Sequence, residues 1–176
     1  MRSVTVGIDE SNHGKFPEIY VAFFSENLED GIKLKATKRK LRRKNEVIDE
    51  STEIGSFVYI VIQQEHQDAI DKTHPVQLKI RVLHELVTHC MNLEGTVIKQ
   101  IIIDGNLRRG ERKYFDEILP DLEPKLIAEP KADQRYIVVN QADHVASCLY
   151  RLYRDSKSEE LKKFEESLIK LRLNRY

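Results

Sequence analysis

Two carboxylates stand side by side at Asp9-Glu10, at the end of an apolar run, Val4-Thr5-Val6-Gly7-Ile8. A third, Asp104, ends a second run from Val97 to Ile103, and Gly105 follows it. Asp133 and Asp143 lie further along. Acids gathered at one sheet edge repel each other and raise each other's pKa. A divalent cation relieves that repulsion, and all-oxygen donors favour Mg²⁺ or Mn²⁺. Two such ions roughly 3.5–4 Å apart hold the attacking and leaving oxygens of a phosphodiester in line. The chemistry within reach is therefore metal-assisted phosphodiester cleavage.

Each acid also has a plainer role open to it. Asp104 before a glycine can be a turn residue. Asp133, two residues after Lys131, can be solvated in a polar loop. Asp143, three residues after Asn140, can serve helix capping and the helix dipole. His13 and His144 lack metal-ligand spacing and read as structural. Successive strand residues face opposite sides. Asp9 and Glu10 can thus share a site only if their strand stops at or near Glu10, as the turn residues Ser11-Asn12-His13-Gly14 predict.

The elements that position these acids follow from the hydrophobic pattern. Val4–Asp9, Glu18–Phe24, the β-branched run Ser56–Ile62, Val97–Ile103 and the brief Lys125–Ala128 read as strands. Ile32 and Leu34, alternating with lysines, suggest one more strand, with a short helix reaching Ile48. Thr73 and Pro75 open a helix with Ile80, Leu83, Val87 and Cys90 on one face, and Gly95 closes it. A short helix over Gly110–Leu119 stops at Pro120. A helix over Asn140–Tyr153 buries Ala142, Val145, Ala146, Leu149 and Leu152. Ser156 with Glu159 caps a last helix, whose seam of Leu161, Phe164, Leu168 and Leu171 packs on the body or on a partner. Antiparallel strands followed by strands alternating with helices predict an α/β fold with a mixed sheet flanked by helices. In such sheets the ligand crevice lies at the carboxyl ends of the parallel strands, where Asp9 and Asp104 fall. Residues 1–155 read as one domain and 156–176 as the added helix. Between Asp133 and Asp143 as the final ligand, placement on a rigid helix favours Asp143; both are expected near the metal.

Among 176 residues, 29 Lys and Arg balance 29 Asp and Glu, so no global field draws the chain to nucleic acid. A local patch must do so. Residues 33–44 hold eight bases and no acid, either a solvated face or a phosphate-contacting surface through Lys38, Arg39, Arg42 and Arg43. Cys90 and Cys148 fall on apolar helix faces without partner spacing and read as buried thiols of a reducing cytoplasm. A strand begins almost at once, with no signal-peptide pattern, and no apolar run approaches the ~20 residues of a membrane helix. Phosphate-loop, dinucleotide-binding and nucleophile-elbow motifs are absent from the sequence.

Three blocks carry a resemblance. Gly7-Ile8-Asp9-Glu10, Ile101-Ile102-Ile103-Asp104-Gly105 and Lys131-Ala132-Asp133 with the later Arg154-Asp155 resemble, in order and spacing, the acidic blocks of archaeal type 2 ribonuclease H over roughly Val4 to Asp155. The resemblance implies a ribonuclease H-like fold, metal-dependent cleavage of RNA in hybrid duplexes, and Asp9, Glu10, Asp104 and Asp133 as metal ligands. The chain departs from that family at Ser11-Asn12-His13-Gly14, where the family has Ala-Gly-Arg-Gly, and lacks its Gly-Tyr-Pro-Ser segment. Asp9-Glu10-Ser11 with Gln141-Ala142-Asp143 is similar to an uncharacterised ribonuclease H-like family with Asp-Glu-Ser-Gly and Gln-x-Ala-Asp motifs, which implies Asp143 as the last ligand. The expectation is a cytoplasmic nuclease holding two Mg²⁺ or Mn²⁺ ions, acting on RNA or RNA/DNA hybrid, with Ser11, Asn12, His13, Gly14, Lys38, Arg39, Arg42, Arg43 and Lys131 toward substrate. The alternative is a degenerate nucleic-acid-binding or adaptor module, and a homodimer through the C-terminal helix is a further expectation.

Overall fold

A computed structural model describes residues 1–11, 15–26, 55–69, 75–118 and 125–171. The strand-and-helix reading of residues 32–48 lies outside them. Among the described residues five strands form one sheet in the order β3-β2-β1-β4-β5: β1 (Arg2–Ser11), β2 (Glu18–Ser25), β3 (Ser56–Ile62), β4 (Thr96–Asp104) and β5 (Lys125–Glu129). β1 runs antiparallel to β2, and β2 to β3, while β4 is parallel to both β1 and β5. The mixed sheet expected from the pattern is present. Parallel neighbours need crossovers, and helices supply them. α1 (Gln64–Ala69) and α2 (Pro75–Met91) connect β3 to β4, and α3 (Arg109–Ile118) connects β4 to β5. Short α1 lacks an apolar stripe, which is why periodicity does not reveal it.

The strands are apolar on both sides because both faces are covered. Val4, Val6 and Ile8 of β1 meet Leu83, Leu86 and Val87 of α2. On the opposite face Val21, Phe23, Tyr59 and Ile102 meet Val139, Ala142, Val145 and Ala146 of α4 (Ile137–Arg154). Gly7 sets how closely α4 approaches. A Cβ there would come 2.5 Å from the Val138 oxygen and the Val139 nitrogen, inside the backbone of the helix's first turn.

Past α4 the chain departs from expectation. Helix α4 stops at Arg154, Ser156 turns left-handed (φ 54), and the Lys157 amide donates to the Leu152 carbonyl at 2.9 Å. The continuous last helix breaks into α5 (Ser158–Lys162) and a 3₁₀ turn (Glu165–Ser167). Phe164 then packs on Phe57 with ring centroids 5.9 Å apart, and Leu168 bridges Tyr59 in parallel register, with the Ile169 amide donating to the Tyr59 carbonyl at 2.8 Å. Among the described strands β3 is the outermost, and this extended contact satisfies its Tyr59 carbonyl. The apolar seam is thereby used on the body; a dimer through it has no support.

Two stability measurements test this packing. Gly7→Ala is expected to lower the urea unfolding free energy by about 3 kcal/mol, the upper range for overpacking, and a near-neutral change would place α4 further from β1. Leu168→Glu is expected to cost about 2 kcal/mol from lost apolar burial, with the molecular mass by light scattering unchanged.

Candidate metal centre

Strand pairing brings the acids together before any side chain is considered. Ile8 of β1 pairs with Ile103 of β4, so Asp9 and Asp104, one residue on, end adjacent parallel strands. Asp104 in turn pairs with Glu129 of β5. Alternation turns Asp9, Asp104 and Glu129 to the face that carries Gly7 and Ile102, which is the face α4 covers. The bare backbone at Gly7 lets α4 lie close, and its second turn carries Asp143 over the strand ends.

Asp9 is the deepest of these acids, 5% exposed. Burial first, then the charges of Asp143, Asp104 and Glu10, push its pKa from 3.8 up to about 8; a hydrogen bond from the Glu10 amide, 2.8 Å, pulls the other way. One oxygen of Asp104, Oδ1, accepts the Ala132 amide at 2.6 Å. The site is thus a buried carboxyl with three further acids acting on it.

The sequence-derived residues fall into distinct groups. Asp104 and Asp143 lie near enough for their charges to act on Asp9. The capping role open to Asp143 lapses: α4 begins at Ile137, three residues before Asn140, and the second turn has no orphan amides to cap. Glu10 is placed differently from expectation. β1 does not stop there but pairs through Ser11 with Ile19. Alternation therefore sends Glu10 to the α2 face, opposite Tyr20. Burial, and next the Glu10 and Glu18 charges, push the Tyr20 phenol above its ordinary range, while its hydroxyl donates to Glu18 Oε1 at 3.0 Å. Asp133 is buried in a 3₁₀ turn (Ala132–Gln134) and is not among the charges acting on Asp9. Lys131 is exposed and left-handed (φ 61). Asn12, His13, Gly14, Lys38, Arg39, Arg42 and Arg43 lie outside the described residues.

Two groups at this edge carry no sequence signal. Glu129 joins the row of Asp9 and Asp104 only through the β4–β5 register, which no local pattern reveals. Its Oε2 accepts Arg135 Nη1 at 2.8 Å, and its Oε1 is buried without a hydrogen-bond partner among the described residues. Lys79 of α2 brings Nζ to 4.0 Å from where a Cβ would stand on Gly105 (φ 93).

Among the described residues, no group of three or more His, Cys, Asp or Glu side chains is close enough together to hold a metal ion. The donor chemistry fits one nonetheless. All the donors are carboxylate oxygens, and the repulsion on Asp9 is what a hard dication relieves. No helix among the described residues is long and apolar enough to cross a membrane.

A five-stranded mixed sheet of this order with helices on both faces is a ribonuclease H-like fold. The solved structures it is similar to include RNase HII in its complex with PCNA from Archaeoglobus fulgidus, at TM-score 0.61 and 17% identity over 93% of this chain and 80% of that one. Ribonuclease H2 from Pyrococcus horikoshii OT3 aligns at TM-score 0.58 and 18% identity, over 94% and 81%. Bst-RNase HIII, solved in complex with Mn²⁺, aligns at 0.58 and 17%, over 92% of this chain and 56% of that one. No protein-family model and no curated protein matches the sequence. At such identities the likeness concerns the fold.

The raised Asp9 pKa has a direct consequence in the absence of metal. Between 3.8 and about 8 the folded protein keeps a proton that the unfolded chain has lost. Stability on this account is full below the unfolded value and falls as pH rises toward the folded one. Asp9→Asn removes the effect and keeps an acceptor for the Glu10 amide. In EDTA its Tm is expected to exceed that of the wild type at pH 8, by a margin on the order of a few kcal/mol in stability, and to match it near pH 4. A lower Tm at pH 8 would contradict the charge cluster.

Proposed function

We propose that this protein is a divalent-metal-dependent nuclease that cleaves phosphodiester bonds in RNA or RNA/DNA hybrid. The observation that carries the reading is Asp9, buried and pushed toward neutrality by Asp143, Asp104 and Glu10. An arrangement so costly to a metal-free protein is understandable as a seat for positive charge. In this reading Asp9, Asp104 and Asp143 hold Mg²⁺ or Mn²⁺, with Glu10 and Asp133 next to them in the sequence motifs. Bound ions would polarise the scissile phosphate and lower the pKa of an attacking water. The chain's own part is to fix the carboxylates: β1 and β4 set the spacing of Asp9 and Asp104, and α4 holds Asp143 above them. Lys131, Ser11 and the basic stretch with Lys38, Arg39, Arg42 and Arg43 offer phosphate contacts.

A second reading, a non-catalytic nucleic-acid-binding module, draws on the turn of Glu10 to the other face of the sheet. Metal separates the two. Millimolar Mn²⁺ at pH 8 is expected to raise the Tm of the wild type and not of Asp9→Asn, and the wild type alone is expected to cut a labelled RNA/DNA hybrid. Hybrid binding indifferent to EDTA, with no cleavage of RNA, DNA or hybrid in either metal, would establish the module and end the nuclease reading.

A further inference from the structure

The connection between β5 and α4 does more than join them. It leaves β5 at Glu129, turns left-handed at Lys131 (φ 61), and forms one 3₁₀ turn closed by Gln134 N–H to the Lys131 carbonyl (3.0 Å) and Arg135 N–H to the Ala132 carbonyl (2.9 Å). Its centre, Ala132, is fully buried and points its amide at Asp104 Oδ1, 2.6 Å away. A hydrogen bond to a carboxylate of that length is charge-assisted and directional. Three further contacts fix the turn. Buried Asn140 of α4 donates Nδ2 to the Asp133 carbonyl at 3.1 Å. Arg135 pairs with Glu129 at 2.8 Å, tying the two ends of the loop. The Glu129 carbonyl accepts the Gly105 amide at 3.0 Å, joining the loop to the residue after Asp104.

We propose that this turn is a positioning device for Asp104: Asn140 and the Glu129–Arg135 pair hold the Ala132 amide in place, and that amide sets the orientation of the carboxylate at the sheet edge. Asn140, Glu129 and Arg135 are positioning residues, acting through Ala132. Left-handed φ at Lys131 is part of the device, since a non-glycine residue adopts it only where the surroundings hold it. The inference rests on the nuclease reading for its use in metal binding, and on the contacts alone for its geometry.

The experiment uses the full chain with Asn140→Ala and, as a surface variant with little bearing on folding, Arg135→Met, with Arg135→Lys as the conservative control. Hydrogen exchange of the Ala132 amide is followed by NMR in EDTA, and Mn²⁺ affinity by calorimetry. Both variants are expected to speed Ala132 exchange at least 10-fold beyond any change at core amides such as Ile102, with Arg135→Lys largely restoring it; Mn²⁺ affinity is expected to fall by a similar factor in Asn140→Ala, which leaves the charge of the Glu129–Arg135 pair unaltered. Ala132 exchange unchanged in both variants overturns the device. Wild-type protein that binds no Mn²⁺ ends the nuclease reading, and the exchange result then decides the device by itself.

Discussion

One unfavourable interaction sets the character of the sheet edge. Asp9 is buried at a strand end with the charges of Asp143, Asp104 and Glu10 acting on it, and both burial and charge oppose its ionisation. Along the ladder beside it, Val21 and Tyr59 are buried and bring no positive charge to Asp9. Perturbed carboxylates of this kind cluster at functional sites, which is why the proposed nuclease reading starts from Asp9.

Several features of the fold bear on where these acids lie. Gly7 removes the one Cβ that would keep α4 off the sheet, and so decides whether Asp143 reaches the strand ends. The parallel pairing of β1 with β4 brings two strand ends to the same edge, which antiparallel pairing would send to opposite edges. The β5–α4 turn gives Asp104 its amide partner.

Much of the fold was legible because periodicity reports burial. Ser56–Ile62 and Val97–Ile103 read as strands covered on both faces, and they are. The α4 stripe of Ala142, Val145, Ala146 and Leu149 read correctly as core-facing, although the helix starts earlier, over Ile137–Val139, whose apolar run has no cap to announce it. What was not legible depends on contacts distant in sequence. The turn residues after Glu10 suggested a strand end there, but pairing with Ile19 carries β1 on to Ser11 and turns Glu10 away. The Leu161-Phe164-Leu168 seam reads as one helix; Leu161 is helical, but Leu168 lies in an extended contact with Tyr59 instead. Glu129 became a neighbour of Asp104 only through strand register. Asp9 and Asp104 were visible as strand-end acids and Asp143 as an acid on a rigid helix beside them, whereas the close approach that Gly7 allows that helix is disclosed by no local pattern.

The most direct measurement is the anomalous difference density of crystals grown with Mn²⁺ and recorded at the manganese edge. A peak bounded by Asp9 and Asp104, with Asp143 within reach, is expected. Crystals that show full manganese occupancy elsewhere and none at Asp9, or that show the ion on Asp133 with Asp143 turned to solvent, would contradict the centre described.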